Sequence, residues 1–247
     1  MRWRLVTSGE RPVAVVPRLV QLTFAAALCA HVGWQAMTLK PLARAAALGP
    51  PPHEATLRVA SLGEPIALAH ALTLYLQAFD NQPGISIPYR ELDYAAVQAW
   101  LGLALALDPK AQYPLLMAAH LYGQVSDEAR QRQMFEFVHR EFLKDPDRRW
   151  RWLAHVAILA KHRLKDTPLA LRYAEDITRH AGAAMNWARQ MRIFILEDMG
   201  ETEAAAVLLG GLLAGGEVTD NAEIRFLTER LEKLKNAEKS STPSRFR

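Results

Sequence analysis

Two segments of the chain, LALALDPKAQYP (Leu103 to Pro114) and FVHREFLKDPDRRW (Phe137 to Trp150), close an apolar run with Asp-Pro and place an aromatic four residues after the proline. Asp108-Pro109 and Asp145-Pro146 lie 37 residues apart, and the same offset carries Tyr113 to Trp150 and Trp150 to Trp187. An offset held over three units is the signature of a repeat architecture, in which no unit can bury its apolar face alone and each packs on its neighbours. Each aromatic stands near the start of an apolar run with helical spacing: YPLLMAAHLYG, WRWLAHVAILAKH and WARQMRIFILEDMG. A break follows each run, at Gln124 to Asp127, Leu164 to Thr167 and Met199 to Thr202, and a second amphipathic helix begins after it. The caps expected for these second helices are Ser126 or Asp127, Asp166 or Thr167 with Pro168 in the first turn, and Thr202 with Glu203 behind Gly200. Each unit therefore reads as a helical hairpin. With few Val-Ile alternations and no Asn-Gly or Asp-Gly turn, strands are not expected.

The segments KDTPLALRYAEDI (Lys165 to Ile177), MGETEAAAVLLGGLL (Met199 to Leu213) and ALALDP (Ala104 to Pro109) resemble the second-helix signature of tetratricopeptide repeats. The resemblance covers roughly residues 64 to 215 and implies an all-α fold, an α–α superhelix of four tetratricopeptide-like helical hairpins with a closing helix. The chain departs from the family in its period of 37 against a usual value of about 34, and in the connection DNQPGISIPYRELD (Asp80 to Asp93). Ala106, Ala154, Ala157, Ala170, Ala174 and Ala205 are the small residues expected to let helices approach. Tyr113, Trp150 and Trp187 are expected to be core between units. The closing helix is expected over Asn221 to Asn236, with Ile224, Leu227, Leu231 and Leu234 on one face.

At the N-terminus, LVQLTFAAALCAHVGWQAM (Leu19 to Met37) has no formal charge across 19 residues, close to the length that crosses a bilayer as a helix. An uncleaved anchor is favoured over a cleaved signal, because Leu28 and Trp34 occupy positions where a signal peptidase needs small residues; a buried soluble helix is the third reading. Arg2, Arg4, Arg11 and Arg18 before the segment, against Lys40 and Arg44 after it, place the N-terminus inside. The expected location is a bacterial inner membrane, single-pass, with the C-terminal domain periplasmic. The chain then divides into a basic segment (1–18), the anchor (19–37), a proline-rich linker (38–60), a helical repeat domain (61–236) and a tail (237–247) expected to be disordered. The helical pattern itself starts near residue 54, after three successive prolines.

Chemistry is sparse. There is no His-Glu-x-x-His, phosphate-binding glycine loop or Gly-x-Ser-x-Gly. A single cysteine, Cys29, excludes an intrachain disulfide framework and a cysteine zinc site. His155 and His162, seven residues apart on one helix, start about 10 Å apart, too far for one zinc ion without ligands from elsewhere. No enzyme activity, metal or cofactor is expected. In the resembling family the first helices line a concave groove that holds a partner peptide. Here those helices offer Arg151, Trp152, His155, Leu159 and His162, followed by Arg189, Gln190 and Phe194, aromatic and cationic positions of the kind that anchor peptides. If His155 and His162 face that groove, replacing both with glutamate leaves stability nearly unchanged. The reading is a membrane-anchored scaffold or adaptor for a protein or peptide partner. The alternative is a helical-repeat enzyme subunit or nucleic-acid binder using Arg130, Arg132, Arg140, Arg148, Arg149 and Arg151. Against nucleic acid, a formal net charge of +4 leaves the chain only mildly basic, and Asp127, Glu128, Glu136, Glu141, Asp145 and Asp147 interleave with those arginines.

Overall fold

The computed structural model describes residues 16–37, 45–216 and 218–241, in a chain that divides into units 1–44 and 45–247. Most of the basic N-terminal segment and the end of the tail lie outside the described residues. The fold is all-α. In the first unit, α1 (Arg18–Met37) has 20 residues, about 30 Å of helix. With a mean hydropathy of 1.2 it is long and apolar enough to cross a membrane.

The second unit opens with a short α2 (Glu54–Ala60), so helix begins inside the span expected to be linker. There follow α3 (Pro65–Ala78), α4 (Tyr94–Leu107), α5 (Tyr113–Leu116), α6 (Glu128–Phe142), α7 (Pro146–His162), α8 (Thr167–His180), α9 (Asn186–Asp198), α10 (Thr202–Ala214) and α11 (Asn221–Ser241). Helix α11 runs to Ser241, beyond the expected boundary at 236. Strands are present after all: β1 (Asn81–Gln82) pairs antiparallel with β2 (Ile85–Ser86). The turn between them is Pro83-Gly84, where proline presets the first corner and Gly84, at φ +79°, takes the left-handed second corner of a type II turn. This hairpin therefore forms without the Asn-Gly or Asp-Gly turn on which the expectation of no strands rests.

Helix starts follow local chemistry. Asp93, Asp127 and Asp166 cap α4, α6 and α8 by accepting first-turn N–H groups: those of Ala95 and Ala96, Arg130, and Leu169. Thr202 is already inside α10, and the residue before it, Glu201, makes no side-chain cap. The two Asp-Pro pairs also differ: Asp145-Pro146 opens α7, whereas Asp108 closes α4 and the next helix waits until Tyr113. Beyond Leu116 the helix widens into a π turn over Met117–Leu121 and tightens to a 3₁₀ turn over Tyr122–Gln124. Gly123 is required there, since a Cβ would stand 2.8 Å from the Ala118 carbonyl oxygen and 3.2 Å from the Phe135 ring.

Successive helices from α6 to α11 pack on one another, and α3 packs on α4. Helices one unit apart also touch at the sequence offset. Trp150 meets Trp187 edge to face at 5.7 Å. His139 Nε2 lies 2.7 Å from Asp176 Oδ2, Tyr173 Oη donates to Glu136 Oε1 at 3.1 Å, and Lys161 pairs with Asp198. All four pairs are separated by 37 residues, so the repeat offset is a lateral contact between helices. One large core runs from α3 to α9, and a second, built on Ile193, Ala205, Leu209, Leu227 and Leu234, joins α9, α10 and α11.

Of the three register aromatics only Trp150, 5% exposed, is core; Tyr113 is 39% and Trp187 48% exposed. Tyr113 instead donates to Gln77 Oε1 at 2.8 Å, and Trp187 covers the edge of Trp150 from outside. Trp150→Ala is therefore expected to cost about 3–5 kcal/mol in unfolding free energy. Trp187→Ala should cost on the order of 1 kcal/mol, the worth of an aromatic pair at the surface. Urea denaturation of the two variants checks the order, and equal losses would contradict it.

Candidate protein-binding face

Pro146 in the first turn and Asp147 beside the positive end of the helix dipole start α7. The Asp147 carboxylate also accepts the Ala183 N–H at 2.9 Å and Asp145 accepts Arg148 Nε–H at 2.9 Å, which fixes the turns on either side. On this helix Arg151 is exposed, its guanidinium 5.7 Å from the centre of the Trp150 ring. Trp152 is half-buried and donates its indole N–H to Gln112 Oε1 at 2.6 Å. Leu159 is half-buried against the main core, and His162 is exposed in the last turn.

His155 is the residue whose surroundings differ most from the sequence expectation. Its ring stacks on that of His120 with centroids 4.2 Å apart and an interplanar angle of 22°. Its Nε2 is buried without a hydrogen-bond partner. His120 sits in the π turn, and its Nδ1 lies 2.9 Å from Gln124 Nε2, whose amide oxygen accepts from Arg163 Nη1 at 3.3 Å. Because the amide nitrogen can only donate, His120 Nδ1 is the acceptor and the proton of its neutral form sits on Nε2. Burial, and then the neighbouring His120, pull the His155 pKa below the ordinary histidine value.

The α9 residues do not continue this face. Gln190, expected to be exposed, is 5% exposed and donates to Glu223 Oε1 of α11 at 2.7 Å. Phe194 is half-buried in the second core, with the Arg230 guanidinium 6.0 Å from its ring centre. Both are covered because α11 packs where an open groove was expected. Arg189 is half-buried beside a small cavity of about 230 Å³ that Arg192 and Thr178 also line.

Arg149, named from sequence only among the arginines of the nucleic-acid alternative, is a buried structural residue. It is 3% exposed, its Nη1 donates to the Glu141 carbonyl at 2.7 Å and to Glu141 Oε2 at 3.0 Å, and its Nη2 donates to the Pro109 carbonyl at 3.0 Å. It joins the end of α6, the start of α7 and the first Asp-Pro turn. The signal was a glutamate eight residues upstream, across the second Asp-Pro turn.

Outside this buried pair lies an open cleft of about 410 Å³, lined by Lys110, Gln112, Asp145, Asp147, Arg148 and Arg151. Its lining mixes both signs of charge, and the Gln112 side chain is held there by Trp152. Among the described residues no three His, Cys, Asp or Glu side chains gather as a metal site. Comparison with protein-family models, curated proteins and solved structures finds no match.

His155→Glu, expected from sequence to be neutral, replaces a half-buried ring stacked on His120 with a carboxylate where the buried Nε2 lay, and is expected to lower the unfolding free energy by about 1–3 kcal/mol. His162→Glu should change it by less than about 0.5 kcal/mol. Since folded His155 holds its proton less tightly than the unfolded chain, its contribution is full above the ordinary histidine pKa and is lost as pH falls below it. Melting midpoints measured between pH 7 and pH 5 should therefore drop more steeply for the wild type than for His155→Gln; parallel curves would contradict this.

Proposed function

We propose that the protein is a membrane-anchored, tetratricopeptide-like scaffold, not an enzyme, and that it binds a protein or peptide partner on the α7 side of its helical domain. The observation that carries the reading is the recurrence of side-chain contacts at a 37-residue offset: Glu136 with Tyr173, His139 with Asp176, Trp150 with Trp187 and Lys161 with Asp198. Such stacking generates an extended surface and is the common basis of partner binding by repeat proteins. The partner surface is the open cleft at Lys110, Gln112, Arg148 and Arg151 with the half-buried Trp152 beside it, and it continues along α7 to the exposed His162, roughly 16 Å farther on at the opposite end of the helix. An arginine and an aromatic at the rim of a polar cleft suit polypeptide recognition. The α1 helix, by its length and hydropathy, supports anchoring as a single span. The arginines before it favour a bacterial inner membrane with the helical domain in the periplasm.

The nucleic-acid alternative is disfavoured by the same arginines. Arg130 pairs with Asp127, Arg132 with Asp166, Arg148 with Asp145 and Arg149 with Glu141, while Arg140 donates to Gln98. Cations already neutralised by carboxylates release few counterions from a phosphate backbone.

Capture from detergent-solubilised membranes with the full chain as bait tests the face. Arg151→Glu combined with His162→Glu should reduce recovery of the captured protein by about ten-fold or more, as loss of an interface anchor does, with an unchanged melting midpoint. Equal recovery would reject this face. A periplasm-active reporter fused after Phe246 should be active and a cytoplasm-active one silent; the reverse pattern would overturn the orientation.

A further inference from the structure

Residues 45–53 have no helix or strand of their own, yet they are seated on the first helices of the domain as a bound peptide would be. Gln82 of β1 brackets Ala46: the Ala46 N–H donates to Gln82 Oε1 at 2.8 Å, and Gln82 Nε2–H donates to the Ala46 carbonyl at 3.0 Å. Two residues on, Leu48 is 6% exposed and joins the main core. Trp100 of α4 then donates its indole N–H to the Gly49 carbonyl at 2.9 Å. The contacts read the backbone at two positions and one aliphatic side chain between them, as sheet edges and aromatic grooves read extended peptides. Pro50, Pro51 and Pro52 favour the extended path beyond and bring no N–H that needs a partner.

The occupant does not fill its seat. A cavity of about 270 Å³ lies beside it, bounded by Ala45, Ala47, Leu48, Ile87, Glu91 and Leu92. The hollow opens to solvent between exposed Ala45 and Ala47 on one side and buried Ile87 and Leu92 on the other, and the Ala47 methyl group fills little of it. We propose that this groove is a binding surface for extended polypeptide segments of the pattern apolar, aliphatic, Gly, filled in cis by Ala47, Leu48 and Gly49. A partner segment with a longer apolar side chain in the place of Ala47 displaces them. Displacement also frees residues 45–53 to lengthen the tether between α1 and α2 by up to about 30 Å, nine residues at roughly 3.4 Å each.

The test uses the full chain in detergent. Leu48→Asp ejects the cis segment, because a charge cannot stay buried unpaired. The probe is a fluorescent peptide of residues 45–53, AAALGPPPH, followed by anisotropy. It should bind this variant at least about ten-fold more tightly than the wild type, whose groove is occupied at an effective concentration on the order of millimolar. The same peptide carrying Ala47→Leu should bind more tightly still. Adding Gln82→Ala to Leu48→Asp should weaken binding about ten-fold through loss of two hydrogen bonds. A folded Leu48→Asp variant that does not bind the probe, or binding indifferent to Gln82, overturns the proposal. If Leu48→Asp fails to fold, amide exchange in Gln82→Ala decides. The Ala46 amide should then exchange at least about ten-fold faster with α4 and α6 unaffected. An unchanged Ala46 rate, or acceleration spreading through α4 and α6, overturns it.

Discussion

The close contact between α7 and α8 is the constraint on which the other helices of the domain depend. Ala154, Ala157 and Ala160 on one side and Ala170 and Ala174 on the other are all completely buried, together with Leu153, Val156, Tyr173 and Ile177. Helix axes approach as closely as their contact side chains permit, so alanines at these positions set a short separation and hold α7 and α8 as one slab. The faces left over are then fixed. Helix α6 packs on α7 through Arg149 and Glu141, and α9 packs on α8 with Trp187 laid against Trp150. Because Arg149 also reaches the Pro109 carbonyl, the turn that ends α4 is bound into the same junction. A buried ion pair of this kind adds little net stability, but losing one partner is costly, which makes it a device for fixing register.

The helical pattern was legible because it rests on local chemistry. Alternating breaks, aspartates at helix starts and the offset between aromatics gave the order of helices from Tyr113 to Ala214, and the caps at Asp127 and Asp166 lie among the residues named for them. What was not legible depends on partners distant in sequence. Tyr113 and Trp187 share an offset with Trp150 but not its burial, since burial is decided by what the neighbouring unit places on top. The β1–β2 hairpin rests on a Pro-Gly turn that periodicity cannot see. The stretch read as a free linker contains Leu48, whose burial could not be inferred from three alanines and three prolines around it.

The candidate face was legible in part for the same reason. Arg151, Trp152, His155, Leu159 and His162 do share one helix, α7, but helical spacing does not say which of them meet solvent. Arg151 and His162 are exposed, whereas His155 is held by His120 from the π turn, a distortion with no counterpart in an α-helical reading. Gln190 and Phe194 belong to the expected groove only if the apolar face of the closing helix packs elsewhere, and its spacing does not say where that face lands. Helix α11 packs over α9 and α10, which leaves Gln190 and Phe194 covered and the α7 residues Arg151 and His162 exposed.

If the α7–α8 slab anchors the domain, its backbone must be the last to open. Native-state hydrogen exchange under mild denaturant measures this directly, since amides protected only by global unfolding report the full stability and the rest open locally at lower cost. The amides of Val156, Ala157, Ala160, Tyr173, Ala174 and Ile177 should exchange only through global unfolding, with lower opening energies in α10 and α11, which belong to the separate second core. Protection highest in α10 and α11, with α7 and α8 exchanging by local opening, would contradict it.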